Sequence, residues 1–314
     1  MKKQWHSTLS ISLFSVMLSW SQLSFADQTI EKTFDVKAGA DLVVDTDIGS
    51  IHVETHSSSQ ITAKIEIEGL DDDEFSVRFN PSNGGLRIDG DKQSSDWGWG
   101  SRRVKFSLVV PKEFNVQLET AGGSISIDDL QGNVDVRTSG GSLTFGNIIG
   151  NIDGRTSGGS ISVDGAEGDV RVRTSGGSLS LGDIKGTLHG RTSGGSISLG
   201  LVTGPADVAT SGGSIRIKNA GGEVKARTSG GSVDVTFTQQ PKGNSDISTS
   251  GGSITARLSK DIAVNLYARG RKVYSDFPVN GETEAKYKLR GPINGGGPEL
   301  ELQTSSGSVY IKED

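Results

Sequence analysis

Between Thr120 and Thr249 the chain alternates apolar and polar residues in short runs broken by paired glycines. In one unit Val134, Val136 and Thr138 alternate with Asp135 and Arg137, and Gly140-Gly141 ends the run. Leu143 and Phe145 follow, alternating with Ser142 and Thr144, and Ile148 adds one more apolar residue. Later units repeat the columns: Ile152, Ile161, Val163 and Ala166; Val170, Val172, Leu179, Leu181 and Ile184; Leu188, Ile197, Leu199 and Val202. A period of two marks strands with one buried face. Each unit therefore predicts two short strands and two tight turns, with Gly-Gly supplying the positive φ of a sharp corner.

The motif that punctuates these runs is a repeat. Thr-Ser-Gly-Gly-Ser begins at Thr138, Thr156, Thr174, Thr192, Thr210, Thr228 and Thr249, and Thr120-Ala121-Gly122-Gly123-Ser124 is an altered copy. The step is 18 residues six times and then 21. Degenerate copies flank the array at Thr46-Asp47-Ile48-Gly49-Ser50 and Thr304-Ser305-Ser306-Gly307-Ser308. One unit buries too few side chains to offset the ordering of its backbone, so units must stack and cover one another's apolar columns. The expected fold is all-β: a single-domain parallel β-solenoid with about 4.8 Å between rungs. The crossover rule favours a right-handed coil. Irregular β caps at both ends would cover its open edges.

Two rival solenoids fail on the residues. A hexapeptide helix needs an aliphatic residue every six positions, and positions 143, 149, 155 and 161 read Leu, Ile, Arg, Ile. A calcium-binding nonapeptide roll needs Gly-Gly-x-Gly-x-Asp twice as often as Gly-Gly occurs, with an aspartate that Gly140 to Phe145 lack.

Four segments follow. Residues 1–26 read as a signal peptide: Lys2 and Lys3, an apolar stretch from Ile11 to Leu18, and Ser24-Phe25-Ala26 before a cleavage site. Residues 27–118 hold irregular strands and a cap, expected at Leu42 to Asp45, Ile51 to Glu54, Ile61 to Ile67, Phe75 to Phe79 and Val104 to Val110. Residues 119–261 form the regular array. Residues 262–314 hold C-terminal strands and a cap, expected at Val264 to Ala268, Ala285 to Leu289 and Leu300 to Gln303.

Composition narrows the chemistry. The 314 residues include 45 Gly, about twice the ordinary share of about 7%, and no Cys. Disulfides, thiolate metal sites, a cysteine nucleophile and a lipoprotein anchor are excluded. The net charge falls from −6 to −8 once Lys2 and Lys3 leave with the leader, which argues against nucleic acid as a partner. No second apolar run reaches membrane length.

The run Val109-Val110-Pro111 to Val116, then Thr120-Ala121-Gly122-Gly123-Ser124-Ile125-Ser126-Ile127 and the glycine-marked coils after it, resembles the bacterial putative-adhesin domain family. The resemblance spans about Asp27 to Asp314. It implies an exported or membrane-tethered β-solenoid of largely unknown function and brings no catalytic motif. Export to the periplasm, medium or cell surface is the expected destination.

Stacking converts each outward position into a ladder. The position before the corner holds Glu119, Arg137, Arg155, Arg173, Arg191, Ala209, Arg227 and Ser248, and its neighbour reads Asp135, Asp153, Arg171, His189, Asp207 and Lys225. Asp135 and Asp153 can neutralise the first arginines, whereas Arg173 and Arg191 gain Arg171 and His189 as neighbours. Arg155, Arg171, Arg173, His189 and Arg191 are therefore the candidate site for anionic groups of a polymer, because guanidinium forks match carboxylate, sulfate and phosphate. After the corner, Ser126, Thr144, Ser162, Ser180 and Ser198 with the motif serines form a hydroxyl lattice. The motif threonines point inward and should bond to turn backbone. Trp97 and Trp99 are candidates for stacking on sugar rings. Asp71 to Glu74 reads as a solvated turn, and no metal or cofactor site is expected. His52, His56 and His189 lack a nucleophile at recognisable spacing, and Asp128, Asp129, Asp164 and Asp183 lie near turns without recurring as a set. The expected function is a non-catalytic, adhesin-like envelope scaffold that binds anionic or neutral polysaccharide. The alternatives are a β-helix carbohydrate-active enzyme, whose site only the flanks could build, and a water-ordering hydroxyl surface.

Overall fold

A computed structural model describes residues 28–71, 73–93 and 102–314. The expected leader and the Trp97/Trp99 loop lie outside the described residues. Among the described residues the chain forms two fifteen-stranded sheets and one 3-10 turn, Ala285–Tyr287. No helix there is long and apolar enough to cross a membrane.

Each coil contributes one strand to each sheet. Val134–Thr138 leads into the Thr-Ser-Gly-Gly-Ser corner and Leu143–Ile149 leaves it, so one sheet is here called the approach sheet and the other the exit sheet. Successive coils pair in parallel and in register. On the approach sheet Val134 lies beside Ile152, then Val170, Leu188, Ala206 and Val224. On the exit sheet Leu143 lies beside Ile161, then Leu179, Ile197, Ile215 and Val233. These columns meet in one continuous core, where Leu143, Leu179 and Ile197 each keep only 1% of their surface exposed. The exit strands carry a kink: Gly146, Asp164 and Gly182 drop out of the ladder, although Leu143–Ile149, Ile161–Glu167 and Leu179–Lys185 are otherwise continuous. Asp164 and Asp183 thus sit inside strands rather than in turns.

The corner works differently from the expectation. Neither Gly140 nor Gly141 has a φ in the left-handed region, and the positive φ values fall at the opposite corner, at Gly132 (+155°), Gly150 (+149°) and Gly168 (+152°). What the motif requires is closeness. A Cβ on Gly177 would lie 2.2 Å from the carbonyl oxygen of Gly159 one rung below, and on Gly141 it would lie 2.1 Å from that of Gly123. That same carbonyl accepts the inward threonine's hydroxyl. Thr174 donates to Gly159 and Thr192 to Gly177, both at 2.7 Å, and the series runs from Thr138 to Thr304. The next serine's oxygen accepts the N–H of the serine one rung above, as Ser160 does from Ser178 at 3.1 Å. Within a corner the second glycine's N–H donates to the motif threonine's hydroxyl, as Gly177 does to Thr174 at 3.3 Å, and the other bonds run between rungs.

Both ends depart from chain order. Asp41–Thr46 and Ser50–His56 form a rung that packs on Asn115–Thr120 and Ile125–Ile127. Its other side is covered by Gly85–Lys92 and Arg103–Pro111, which come later in sequence. Phe75–Ser82, Gln60–Glu68 and Gln28–Asp35 then close that end antiparallel. At the other end Glu299–Thr304 and Val309–Glu313 slot between the rung of Ser245–Thr249 and Ile254–Leu258 and the rung of Val264–Arg269 and Val273–Ser275. Lys288–Ile293 caps it antiparallel, and the strand expected over Ala285 to Leu289 begins as the 3-10 turn. Gln28–Asp35 and Gly85–Lys92 are strands that the alternation did not single out.

The two glycines of one motif should respond unequally. Nothing lies within 4 Å of a Cβ on Gly140, so Gly140→Ala should change stability by no more than about 1 kcal/mol. Gly177→Ala drives a methyl into backbone and should cost about 3 kcal/mol or more. Urea unfolding of the two single variants checks this, and equal losses would count against the stacking account.

Candidate functional site

The outward columns of the approach sheet line up as ladders. Arg137, Arg155, Arg173 and Arg191 are direct neighbours on four successive rungs, as are Asp135, Asp153, Arg171, His189 and Asp207 on five. Strand alternation sends these side chains out, because Val136, Val172 and Val208 between them occupy the core. Toward the N-terminal cap the column runs through Glu119, Asp45 and Asp89, and toward the C-terminal cap it reaches Arg269 beside Lys288.

Ion pairing divides the arginines. Arg137 reaches Asp135 at 3.0 Å and Arg155 reaches Asp153 at 2.8 Å. Arg191 does not remain a free neighbour of His189. It reaches across to the next rung, to the Asp207 carboxylate at 2.6 Å and its backbone carbonyl at 2.8 Å. His189 Nδ1 lies 3.9 Å from the same carboxylate. Arg227 pairs with Asp246. Arg171 and Arg173, which share one rung and are both exposed, have no ion-pair partner among the described residues. In the partnered cases one carboxylate oxygen is used. The other, Oδ1 of both Asp135 and Asp153, is buried and has no hydrogen-bond partner.

Shallow grooves flank the ladder. One of about 640 Å³ runs over Asn115, Asn133, Asn151 and Asp169 and is bounded by Asp135, Asp153, Arg171 and His189. The other, of about 450 Å³, runs along the Thr-Ser corner beside Arg137, Arg155 and Arg173. The floor of the first is a side-chain ladder that the sequence reading missed. Asn115 Oδ1 accepts from Asn133 N–H, Asn133 from Asn151, Asn151 from Asp169 and Asp169 from Thr187. Its signal was available: Asn, Asn, Asn and Asp recur at 18-residue spacing just before each approach strand.

The exit sheet presents the expected hydroxyl columns. The motif serines, however, use their oxygens as acceptors for the next rung, so one column is committed to backbone. At its N-terminal end Ser126 Oγ meets His52 Nδ1 at 2.6 Å, and His52 Nε2 meets Glu54 at 3.0 Å. This chain of side chains was not foreseen, because His52 and Ser126 are far apart in sequence. It lies on a flat ladder, where the flanking N–H groups of Ile125 and Asp128 are bonded to Ser142 and Val53. No pair of free donors converges on Ser126 from those positions. Between adjacent rungs of this sheet Glu167 and Lys185 form a 2.6 Å pair, and the hydrogen bond to Glu167 holds the Lys185 ammonium above its ordinary pKa.

Architecture and ladders define a two-sheeted parallel β-solenoid, a rack of rungs with outward polar columns. The Toastrack DUF4097 family profile matches residues 40–312, and the chain belongs to that family. No curated protein matches the sequence. The chain is similar to a solved structure described as a putative adhesin from Bacteroides fragilis, with 13% identity over 91% of this chain and 97% of that one, TM-score 0.33. It is also similar to a putative lipid binding protein from Parabacteroides distasonis, with 16% identity over 90% and 97%, TM-score 0.39. A third is a putative cell adhesion protein from Clostridium sporogenes, with 10% identity over 92% and 100%, TM-score 0.25.

The groove floor makes its own prediction. Asp169→Ala removes the acceptor for Thr187 N–H and should lower stability by about 1 kcal/mol, whereas Asp169→Asn keeps the acceptor and should be near neutral. Thermal or urea melts of the pair distinguish a structural ladder from a decorative one.

Proposed function

We propose that this protein is a non-catalytic, exported envelope scaffold that binds an extended acidic polysaccharide along its approach sheet. The contact residues are Arg155, Arg171, Arg173, His189 and Arg191. One observation carries the reading: Arg171 and Arg173 stand unpaired on one rung while neighbouring arginines are neutralised. Like charges beside one another in water repel weakly, and an anionic chain relieves that repulsion. A polymer that carries anionic groups supplies the partners that the Arg171 and Arg173 guanidinium groups lack. Rungs at about 4.8 Å suit an extended chain laid along the ladder. Export is read from residues 1–26, and Trp97 and Trp99 remain a second place for sugar stacking, both outside the described residues.

Binding should be electrostatic and therefore salt-dependent. Affinity for polygalacturonate should fall steeply as salt rises through 0.15 M, where the Debye length is about 8 Å. Arg171→Glu with Arg173→Glu should strongly weaken binding of the polymer and leave thermal stability unchanged. Arg191→Gln, which removes an arginine already engaged by Asp207, should weaken it less. Titration of the mature protein with the polymer at several salt concentrations checks this. Undiminished binding by the double variant, or binding indifferent to salt, would overturn the proposal, as would release of new reducing ends during the incubation.

A further inference from the structure

The C-terminal cap breaks the pattern of the corners. The rungs from Thr138 to Thr249 turn through small neutral residues, Thr-Ser-Gly-Gly-Ser. On the outermost rung Arg269 lies beside Gln303 and Val273 beside Val309, so Gly270-Arg271-Lys272 spans what Thr304 to Ser308 spans on the neighbouring rung. The substitution is sterically determined, since a Cβ on Gly270 would lie 2.9 Å from the Thr304 methyl. The backbone is held on both sides: Gly270 N–H donates to the Tyr287 carbonyl at 3.0 Å and Arg271 N–H to the Gly307 carbonyl at 2.8 Å. Arg269, Gly270, Arg271 and Tyr287 thus border an open pocket of about 630 Å³ beside the corner.

The pocket is a different chemical object from the mid-rack grooves. Arg269 and Arg271 line it, both exposed, and neither has an ion-pair partner among the described residues. No carboxylate lines it among the described residues. Tyr287 stands beside them with 49% of its surface open, one of three large apolar or aromatic side chains so exposed among the described residues. The rest of the wall is hydroxyl and amide, including Ser250, Ser305 and Gln303.

We propose that this pocket binds a single acidic sugar unit, a pyranose that carries a carboxylate or sulfate. Two guanidinium forks flanking Gly270 grip the anionic group. The open face of Tyr287 covers one face of the ring. Hydroxyls and the Gln303 amide receive the ring hydroxyls. The volume falls in the range of small-ligand pockets, about 300–1,000 Å³, and admits a disaccharide. A nucleotide suits the site less well, because a base needs a second apolar face and Tyr287 is the one aromatic in the wall. This site is separate from the Arg171/Arg173 ladder.

Calorimetry on the full mature protein tests it with four probes: digalacturonate, its dimethyl ester, inorganic sulfate and adenosine monophosphate. Digalacturonate should bind, and the neutral ester should not. Arg269→Gln with Arg271→Gln should weaken binding about tenfold or more. Arg269→Lys with Arg271→Lys, which keeps charge but loses the forks, should fall between. Tyr287→Ala should also weaken it, while Arg171→Gln with Arg173→Gln should leave it unchanged. Equal binding of the ester, sulfate binding as tightly as the sugar, tighter binding of the nucleotide, or no binding of any probe would each overturn the proposal. So would indifference to the Arg269/Arg271 variants. Failure of polymer binding by the Arg171/Arg173 variant concerns the other site and is read separately. All these side chains are exposed, and a melting curve confirms that each variant is folded.

Discussion

Everything in this molecule depends on one contact repeated up the rack: the carbonyl of the second glycine of a corner, approached by the backbone of the rung above. That carbonyl accepts the next threonine's hydroxyl at about 2.7 Å and leaves no room for a side chain on the glycine overhead. The contact sets the register. A slip of one residue would turn the threonine outward, leave a carbonyl unsatisfied and place arginines in the core. Low hydrophobicity is therefore compatible with a stable fold here. Each corner carbonyl of the second glycine is answered by the neighbouring coil, so repetition adds to the burial of the continuous apolar core.

Register in turn decides the surface. Once the corners stack, the side chains one and three positions before them must form columns, whatever they are. Arg137, Arg155, Arg173 and Arg191 come together for that reason, and the aspartates decide which of them stay available. Asp135 and Asp153 answer arginines on their own rungs, whereas Asp207 answers Arg191 from the rung above. Among the described residues of the four arginine rungs on the approach sheet, the free cations are consequently Arg171 and Arg173 on one rung, not a continuous stripe. The surface is a set of local decisions laid on a rigid grid.

The grid itself was legible in the sequence, because period-two alternation and an 18-residue step specify parallel strands almost without alternatives. The inward threonines and outward arginines followed from the same parity. Less legible was the reason for the glycines. Spacing shows where a corner falls, but close approach between rungs and positive φ write the same letter, and only the coordinates separate Gly141 from Gly150. Cross-rung pairing was missed at Arg191 because its partner lies 16 residues on, outside its own coil. The Asn133, Asn151 and Asp169 floor was legible and overlooked, since attention to alternating positions passes over the residues between strands. The caps were least legible. Their pairing joins segments such as Ile254–Leu258 and Val309–Glu313, with no periodicity to announce it.

The caps also explain why the repeat can stop. A stack of identical coils ends on an open ladder that invites further pairing. Here neither terminal rung is the first or last in sequence. At one end Asp41–Thr46 is covered by Gly85–Lys92, and at the other Glu299–Thr304 is covered by Val264–Arg269. The best-matched flanking copies of the motif, Thr46 and Thr304, are thus interior rungs, and residues freed from the motif lie outermost. Duplication of an inner coil lengthens the rack without disturbing either end, because each cap reads only the corner beneath it. The same freedom is what allows the outermost corner to replace the five residues Thr304 to Ser308 with Gly270-Arg271-Lys272. Its outer side meets the backbone at Tyr287 rather than another motif corner, so it is released from the stacking role.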